Sequence, residues 1–412
     1  MDKGIALYIH IPFCKSKCSY CDFFSRPGIE NLIDSYVDSL CNELSFYSFS
    51  GKKIFLKSLY IGGGTPSLLS ILQLSKLFSA LKNNFIFDSQ IEATIELNPD
   101  DITEELVQFL ENSFINRISL GIQSLKNDTL RRMCRRASRE TSLNALNIIQ
   151  SHFTKRFTAD LIAGFPGEDE NSLIENIHEL VEYHPEHISL YSLCVEEETE
   201  LYKQIEEEKL FFDQNESDEL WLTAKRELEK NGFYQYEVSN FAKTEKAFSR
   251  HNLTYWHLSN YLGAGAGAAG SLFYKSENSI RYTNDSDIEK YILFWKDKKN
   301  YGADIESYAQ TVSSLKKNPC SLEVIDKETE EFEFFMMGFR LREGISEKEY
   351  NSRFNKNLTE RLGVKNGIFR EWIDKGYAQV ISVNKNGFDD KYYSLTEKGI
   401  LFLNVFLEKL SG

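Results

Sequence analysis

The chain has 412 residues, 42% of them hydrophobic, and a formal net charge of −14. This length predicts one large domain with a smaller one beside it. The acidic balance argues against nucleic-acid binding, which needs basic patches, and against docking on anionic lipid. No apolar run approaches the roughly 20 residues of a membrane helix, and the N-terminus lacks a signal-peptide pattern. We therefore expect a cytoplasmic protein without an intrinsic membrane segment.

Short apolar runs alternate with amphipathic stretches up to Val195. The predicted strands are Ala6–Phe13, Ser58–Gly64, Ile91–Pro99, Arg117–Ser124, Phe157–Pro166 and Ile188–Val195. The predicted helices are Ile33–Phe46, Leu69–Leu81, Thr103–Asn112, Thr141–Phe153 and Ser172–Tyr183. This order is typical of repeated βαβ units, and six units predict an α/β fold with a partial or full barrel.

The pattern changes after residue 200. We predict a helix over Asn215–Asn231, a glycine/alanine stretch over Gly263–Gly270, a hairpin of Tyr377–Val383 with Tyr392–Leu395, and a final helix from Glu397. Residues 275–325 are polar and weakly patterned. We therefore expect a barrel domain over 1–285, a linker over 286–327, and a mainly helical, winged-helix-like domain over 328–412.

Three of the seven cysteines lie in Cys14-Lys-Ser-Lys-Cys18-Ser-Tyr-Cys21, after the first predicted strand. Three thiolates can wrap a small iron–sulfur cluster and leave one iron without a protein ligand. Zinc is less favoured because no fourth cysteine or histidine follows closely. The same spacing would suit three core cysteines on one helix face, but Pro12 favours a loop. The four scattered cysteines are interpreted as small apolar fillers.

Each predicted strand ends in glycine, proline or polar residues, and these ends should meet at one site. The second strand ends in Gly62-Gly63-Gly64-Thr65, where the backbone could approach a ligand closely. A phosphate loop is excluded because no Gly-Lys-Ser/Thr follows. A plain turn remains the alternative interpretation.

The CxxxCxxC and Gly-Gly-Gly-Thr-Pro motifs, together with ELNP, ISLGIQS, DLIAGFP and LGAGAGA, resemble the radical S-adenosylmethionine (SAM) superfamily. Most of the chain resembles its coproporphyrinogen oxidase-like branch, above all the HemW family of heme chaperones. The resemblance implies a [4Fe-4S] cluster on Cys14, Cys18 and Cys21, with SAM on its open iron. It implies SAM contacts from Tyr8, Tyr20, Gly63, Gly64, Thr65, Glu96, Gln123, Arg135 and Asp160, with Cys194 and Ala269 on the adenine side.

Two activities remain open on this resemblance. The oxygen-independent coproporphyrinogen III oxidase has a further cysteine where this chain has Phe23, and a longer N-terminal arm. The segment from His251 to Trp256 matches the HNxxYW motif of the chaperones, which implies His251 as a heme contact and His257 as a weaker candidate. From residue types alone, a capped turn with a packed Tyr-Trp pair is the favoured interpretation of the motif. The expected function is heme transfer to an acceptor hemoprotein, which the resemblance implies is a respiratory one. The alternative is the oxidase or another porphyrin-modifying radical enzyme.

Several features qualify the heme hypothesis. The family commonly has a histidine near Ala269, so heme binding here is expected to be weaker or arranged differently. Cys134 and Cys194 are alternative thiol ligands. Five arginines, Arg131, Arg132, Arg135, Arg136 and Arg139, form either a solvated helix face or, through Arg132 and Arg136, a site for heme propionates. An electron donor such as a flavodoxin or ferredoxin is implied, and a homodimer is one state that the resemblance allows.

Overall fold

The computed structural model describes residues 4–47, 53–298, 308–385 and 388–411. Its strands are β1 Ile5–Ile11, β2 Phe13–Cys14, β3 Arg26–Pro27, β4 Ile54–Gly63, β5 Phe85–Leu97, β6 Arg117–Gln123, β7 Arg156–Ala163, β8 His187–Ser192, β9 Tyr234–Gln235, β10 Asn240–Ala242, β11 Tyr261–Ala264, β12 Ala269–Leu272, β13 Ser279–Asn284, β14 Cys320–Ile325, β15 Ile345–Ser346, β16 Ala378–Lys385 and β17 Phe388–Leu395.

The helices of the described chain alternate with these strands. They are α1 Ile33–Phe46, α2 Ile71–Asn84, α3 Glu104–Glu111, α4 Asn127–Arg132, α5 Arg139–His152, α6 Glu170–Val181, α7 Glu200–Glu206, α8 Gln214–Lys230, α9 Arg250–Trp256, α10 Ile288–Trp295, α11 Tyr308–Leu315, α12 Lys327–Gly338, α13 Glu347–Phe354, α14 Leu358–Arg361, α15 Ile368–Asp374, α16 Glu397–Ile400 and α17 Leu403–Ser411. The predicted strands and helices of the first half are confirmed, with ends that shift by a few residues.

One sheet of twelve strands carries the larger domain, in the order β14-β13-β12-β11-β1-β4-β5-β6-β7-β8-β10-β9. Strands β1 and β4 to β8 are parallel neighbours, and β11 joins β1 in the same direction. Strands β12, β13 and β14 extend one edge in antiparallel pairing, and β10 and β9 extend the other. The α/β partial barrel expected from the sequence is confirmed.

The alternation of side chains along the parallel strands separates two layers. Ile9, Ile61 and Ile95 lie side by side in register and are fully buried in the main core. Their neighbours Tyr8 and Tyr60 pair in the next register position and face the other side, because successive side chains of a strand point in opposite directions. The barrel therefore has an aliphatic outer layer under the helices and a polar, aromatic interior.

The segment 286–327 differs from the linker that was expected. Within its described residues, α10 packs on α1 with Tyr291 and Trp295 buried, and Asn42 donates to the Trp295 carbonyl over 2.9 Å. Strand β14 pairs with β13 along the sheet edge. The polar composition of this stretch arises because an edge strand and a surface helix each bury only one face. Residues 299–307 lie outside the described part.

The C-terminal part has its own core, built largely from aromatic side chains. Its buried members include Phe335, Phe339, Tyr350, Phe369, Trp372 and Phe406. A three-stranded sheet in the order β15-β17-β16 contains the expected hairpin, although β17 begins earlier than predicted. The expected final helix is divided into α16 and α17. Among the described helices, none combines the length and apolar character needed to span a bilayer.

Candidate functional site

A cavity of about 420 Å³ lies where the parallel strands β4 to β8 end. Its wall brings together most of the residues selected from the sequence, namely Cys14, Cys18, Tyr20, Cys21, Gly63, Gly64, Thr65, Glu96, Gln123, Arg135, Asp160 and Cys194. Parallel α/β folds bind ligands at this edge because the strand ends and the loops after them converge there. The structure thus forms one site from segments far apart in the chain.

The cysteine motif forms a loop between β2 and β3, so the helix-face alternative is wrong. Ser19 anchors this loop: its backbone N–H donates to the Met133 carbonyl and its hydroxyl to the Arg132 carbonyl, each over 3.0 Å. Burial, reinforced by the neighbouring thiols, raises the pKa of Cys21 to about 11. All seven cysteines are free thiols. In the described chain, no group of three or more His, Cys, Asp or Glu residues is arranged to hold a metal ion.

The glycine turn after β4 packs directly against the cysteine loop. Gly63 has φ +119°, and its N–H donates to Glu96 Oε2 over 3.0 Å. A Cβ on Gly64 would lie 2.7 Å from the Phe13 carbonyl oxygen and 3.0 Å from Cys14 Sγ. Close approach of the two loops therefore requires glycine at this position. Cys14 Sγ also lies 3.4 Å from Thr65 Oγ1.

Two buried carboxyl groups form the floor of the cavity. Glu96 accepts a hydrogen bond from the Tyr60 hydroxyl over 2.7 Å, and Asp160 accepts one from the Ser119 hydroxyl over 2.9 Å. Burial raises the pKa of Glu96 to about 7 and the pKa of Asp160 to about 6. A cationic amino group brought beside them would favour their ionised forms.

Four buried polar atoms in this wall have no hydrogen-bond partner among the described residues: Ser25 Oγ, Gln123 Oε1, Asp160 Oδ1 and Arg135 Nε. Buried polar atoms in native proteins are nearly always paired, so such a cluster indicates a polar ligand. Two acceptors suit amino or hydroxyl groups, and a guanidinium suits a carboxylate. This donor set fits SAM. Gln123 also has φ +65°, an uncommon conformation for a residue with a side chain.

The five arginines of the basic segment have separate environments. Arg135 Nη2 donates to Asn98 Oδ1 over 2.7 Å and to the Gly121 carbonyl over 2.6 Å, beside the cavity. Arg132 donates to the carbonyls of Pro166 and Gly167. The remaining three pair with acidic side chains, Arg131 with Asp128, Arg136 with Asp101 and Arg139 with Glu179. A solvated helix face describes Arg131 well, whereas Arg135 and Arg136 both line the cavity, and Arg135 Nε is one of its unpartnered atoms.

Two residues expected to contact SAM do not line the cavity. Tyr8 lies beneath its floor, where its hydroxyl is hydrogen-bonded to His10 Nδ1 over 2.8 Å and its ring stacks on Tyr60. Ala269 begins β12, with its backbone against Gly263. Each is therefore separated from the cavity by other residues, Tyr8 because it occupies a lower interior layer of the barrel.

His251 is also absent from the cavity wall and is 1% exposed. Its Nδ1 is hydrogen-bonded to Ser58 Oγ over 2.9 Å and its Nε2 to the Tyr255 hydroxyl over 2.8 Å. Its ring stacks on Tyr60 inside the barrel. Both nitrogens of His251 are engaged and its ring is buried in this packing, and its role as a heme contact stays a prediction. The capped-turn interpretation holds in part: Ser249 caps the segment, which is the helix α9, and Tyr255 packs against His251 and Tyr261.

The sequence reasoning missed several cavity residues, including Ser119, Gly121 and Tyr191. Ser119, Gly121 and Gln123 are alternate residues of β6, which face the same side of a strand. Counting back from Gln123 in steps of two residues along β6 would have identified Gly121 and Ser119. At the rim, Phe23 is 71% exposed beside the cluster loop.

Comparison with known proteins agrees with this geometry. The model of the radical SAM superfamily matches residues 8–180, and that of the HemN C-terminal domain matches residues 325–402. A heme chaperone HemW from Lactococcus lactis is 30% identical, covering 99% of this chain and 98% of its own. The chain belongs to the HemW family. This confirms the recognition made from the motifs.

Other relatives give the same result. HemW proteins of Bacillus subtilis and Escherichia coli are 30% and 29% identical, with coverage of 90% and 98% of this chain and of 91% and 97% of theirs. The solved structure of coproporphyrinogen III oxidase HemN from Escherichia coli matches with a TM-score of 0.75 and 18% identity, over 99% of this chain and 90% of that one. The latter similarity shows a shared fold.

Proposed function

We propose that this protein is a heme chaperone, which binds heme and passes it to an acceptor hemoprotein. Full-length similarity to HemW proteins carries this proposal. Phe23 supports it, since the resemblance places a fourth cysteine of the oxidase at that position. The similarity to the HemN oxidase is limited to the fold at 18% identity, so it does not favour the oxidase reaction.

In this proposal the cavity holds a [4Fe-4S] cluster and SAM. Cys14, Cys18 and Cys21 supply three thiolates from one loop and leave one iron open for SAM. When both groups are bound, an electron from the cluster can cleave the sulfonium of SAM. The protein's part is positional: the glycine turn admits the methionyl group, Glu96 accepts from its amino group, and Arg135 faces its carboxylate.

We further propose that the protein acts in the reducing cytoplasm, where clustered thiols stay reduced. A flavodoxin or ferredoxin is the proposed electron donor, and a respiratory hemoprotein the proposed acceptor. A homodimer is the proposed oligomeric form. The donor, the acceptor and the homodimer rest on the resemblance, and the compartment rests on the clustered thiols. Size-exclusion chromatography with light scattering tests the homodimer directly.

One anaerobic experiment separates chaperone from oxidase. The full-length protein with a reconstituted cluster is titrated with ferric heme, and a second sample is incubated with SAM, a reductant and coproporphyrinogen III. We expect a shift of the Soret band in the first and no protoporphyrinogen in the second. Formation of protoporphyrinogen would favour the oxidase, and an unchanged heme spectrum would contradict the chaperone.

A further inference from the structure

The segment 196–219 carries a large share of the negative charge of the chain. It contains eleven Asp and Glu residues and two lysines, which gives a formal charge of −9 out of −14 for the whole protein. Ten of the eleven acidic residues are exposed. Within the described part of the chain, Glu207 is the one among them with an ion-pair partner, Lys209. The negative charge of this surface is therefore largely uncompensated by the protein itself.

A second cavity, of about 390 Å³, lies at this surface. It is formed between the loop that follows β7, residues 164–168, and the connection from α7 to α8, residues 209–213. Phe165, Leu210 and Phe212 give it apolar walls, and Phe211 beside them is 76% exposed. Ligand pockets in proteins have roughly 300–1,000 Å³, so this cavity is large enough for one side chain of a partner.

Two buried polar atoms in the lining of this cavity have no hydrogen-bond partner among the described residues, namely Ser217 Oγ and Glu168 Oε1. Ser217 is 2% exposed. It lies against Gly164, which has φ +88° and whose Cβ, if present, would be 2.0 Å from Ser217 Oγ. Glycine at this position therefore lets α8 pack directly on the strand end. Because buried polar atoms in native proteins are nearly always paired, the two open atoms indicate a polar ligand.

The other carboxylate oxygen of Glu168 is already engaged, because the Gly164 N–H donates to its Oε2 over 2.9 Å. The cavity therefore offers two single acceptors, whereas a guanidinium pairs with both oxygens of a carboxylate. An ammonium group is a compact donor of three hydrogen bonds on a flexible apolar stem, so a lysine side chain fits better than an arginine. Burial raises the pKa of Glu168 to about 7, and a cation beside it would favour its ionised form.

The charged side chains around these two atoms are engaged elsewhere. Arg132 Nη1 donates to two carbonyls of the loop after β7, each over 3.1 Å. Lys209 pairs with Glu207, and Asp213 caps the N-terminus of α8. No lysine of the described chain therefore occupies the acceptors, which remain open to a cation from outside the chain.

We propose that the segment 196–219 is a docking surface for a partner protein with a lysine-rich stretch, and that one lysine of this stretch enters the cavity and donates to Glu168 Oε1 and Ser217 Oγ. Phe211 would pack on the partner, because aromatic side chains are frequent anchors of protein interfaces. The surrounding carboxylates would steer the partner to the cavity, so association should weaken as salt rises. Glu196, at the start of the segment, lines the cluster cavity, so the docked partner would lie beside that cavity.

The test uses the full-length protein and fluorescence anisotropy at low salt. Three labelled ten-residue peptides are the probes: lysine alternates with alanine in the first, arginine replaces lysine in the second, and every lysine is acetylated in the third. We expect the lysine peptide to bind wild type, the arginine peptide to bind about fivefold more weakly, and the acetylated peptide not to bind. Glu168→Gln should weaken binding of the lysine peptide about tenfold. Glu198→Gln removes the same charge from an exposed position of the segment and should weaken it no more than about twofold.

Two further variants leave the hydrogen bond from Gly164 to Glu168 in place. Ser217→Ala keeps the Cβ and removes the hydroxyl, and it should weaken binding of the lysine peptide about threefold. Phe211→Ser tests the aromatic anchor and should have an effect of about the same size. Its control is Leu72→Ser on α2, at a side chain that is 81% exposed, which should leave binding unchanged. Circular dichroism checks that each variant is folded.

Three results would overturn the inference. The first is no binding of the lysine peptide to wild type. The second is equal binding of the lysine and arginine peptides, with Glu168→Gln no weaker than Glu198→Gln, which would show attraction to the acidic surface alone. The third is displacement of the peptide by n-butylamine at the concentration of the peptide itself, which would make the cavity a site for small amines.

Discussion

The two ends of the barrel interior are built in opposite ways. At the carboxyl end of the strands, the wall carries unpartnered buried atoms of Gln123, Asp160 and Arg135 around an open volume. Below it, Tyr60, His251 and Tyr255 fill the interior, and both histidine nitrogens are satisfied. A ligand site is recognised by buried polar groups that have no partner within the protein, whereas in a packed structural interior such groups are all paired. The cysteine and glycine motifs supply residues of the upper end, and the HNxxYW motif supplies residues of the lower end. A sequence motif alone therefore does not distinguish a ligand site from a packed interior.

The cluster end should depend completely on its thiolates. Replacing Cys14, Cys18 and Cys21 together with serine is expected to abolish iron and acid-labile sulfide after anaerobic reconstitution, because hydroxyl groups are poor ligands for the cluster. The far-UV circular dichroism signal should be unaffected, since the packed interior around His251 contains none of these residues. Cys134→Ser, at an exposed thiol, is the control. Loss of that signal in the triple variant would break the separation of the two ends.

The packed residues Tyr60, His251 and Tyr255 below the cavity should contribute to the free energy of unfolding. His251→Leu leaves Ser58 and Tyr255 without a buried partner, which is expected to lower the free energy of unfolding by about 2–4 kcal/mol. Urea unfolding followed by circular dichroism measures it. His152→Ala is the control, because the imidazole of His152 is partly exposed and lies 3.7 Å from the exposed carboxylate of Glu104. A change no larger than that of the control would contradict the structural role.

The same histidine predicts a pH dependence. Burial lowers the pKa of His251 to about 3, so the native state binds fewer protons than the unfolded chain between pH 3 and about 6.5. Stability is then lost as pH falls, by about 2 kcal/mol between pH 7 and pH 5 from this group. The loss should be smaller by that amount in His251→Leu. An equal acid sensitivity in both proteins would show that His251 is accessible to protons in the native state.

The sequence predicts the cluster end of the barrel better than the packed end, and the reason is physical. Alternating apolar runs fix strands and helices, because burial follows a period of two or 3.6 residues, and α1 begins and ends where predicted. The strand ends of a parallel sheet meet at one edge, so Glu96 and Asp160 could be assigned to one site. The position of α9 under the barrel depends on contacts from Tyr60, Ser58 and the C-terminal core, which no local pattern encodes.

The floor of the cluster cavity predicts the reverse pH dependence. Burial raises the pKa of Glu96 to about 7, with Asp160 nearby as a further cause, so the native state holds a proton that the unfolded chain has lost. Stability of the protein without SAM should therefore fall as pH rises from about 4.5 to 7, by on the order of 3 kcal/mol at most. Glu96→Gln should remove the share of Glu96 from this slope in urea unfolding at pH 5 and pH 8, and the share of Asp160, whose pKa burial also raises, should remain. Glu197→Gln, at an exposed site, should keep it.

The smallest expected effect concerns an ion pair at the rim of the cluster cavity. Asp101 is 4% exposed and accepts from Lys15 Nζ over 3.0 Å, from Arg136 Nη2 over 3.4 Å and from the Ser67 hydroxyl over 3.2 Å. Lys15 belongs to the cluster loop but its side chain is half exposed, so the pair should contribute about 1 kcal/mol or less and weaken in high salt.

Asp101→Asn keeps the shape of the side chain and removes its charge. If Ser19 and the glycine turn hold the cluster loop through backbone contacts, this variant should release iron to a chelator only slightly faster than wild type. The matched control is Glu175→Gln, which breaks a surface pair with Lys126 remote from the loop. Rapid loss of iron from Asp101→Asn, and not from the control, would mean that charge at the rim, more than the packing of Gly64 against Phe13, positions the three cysteines.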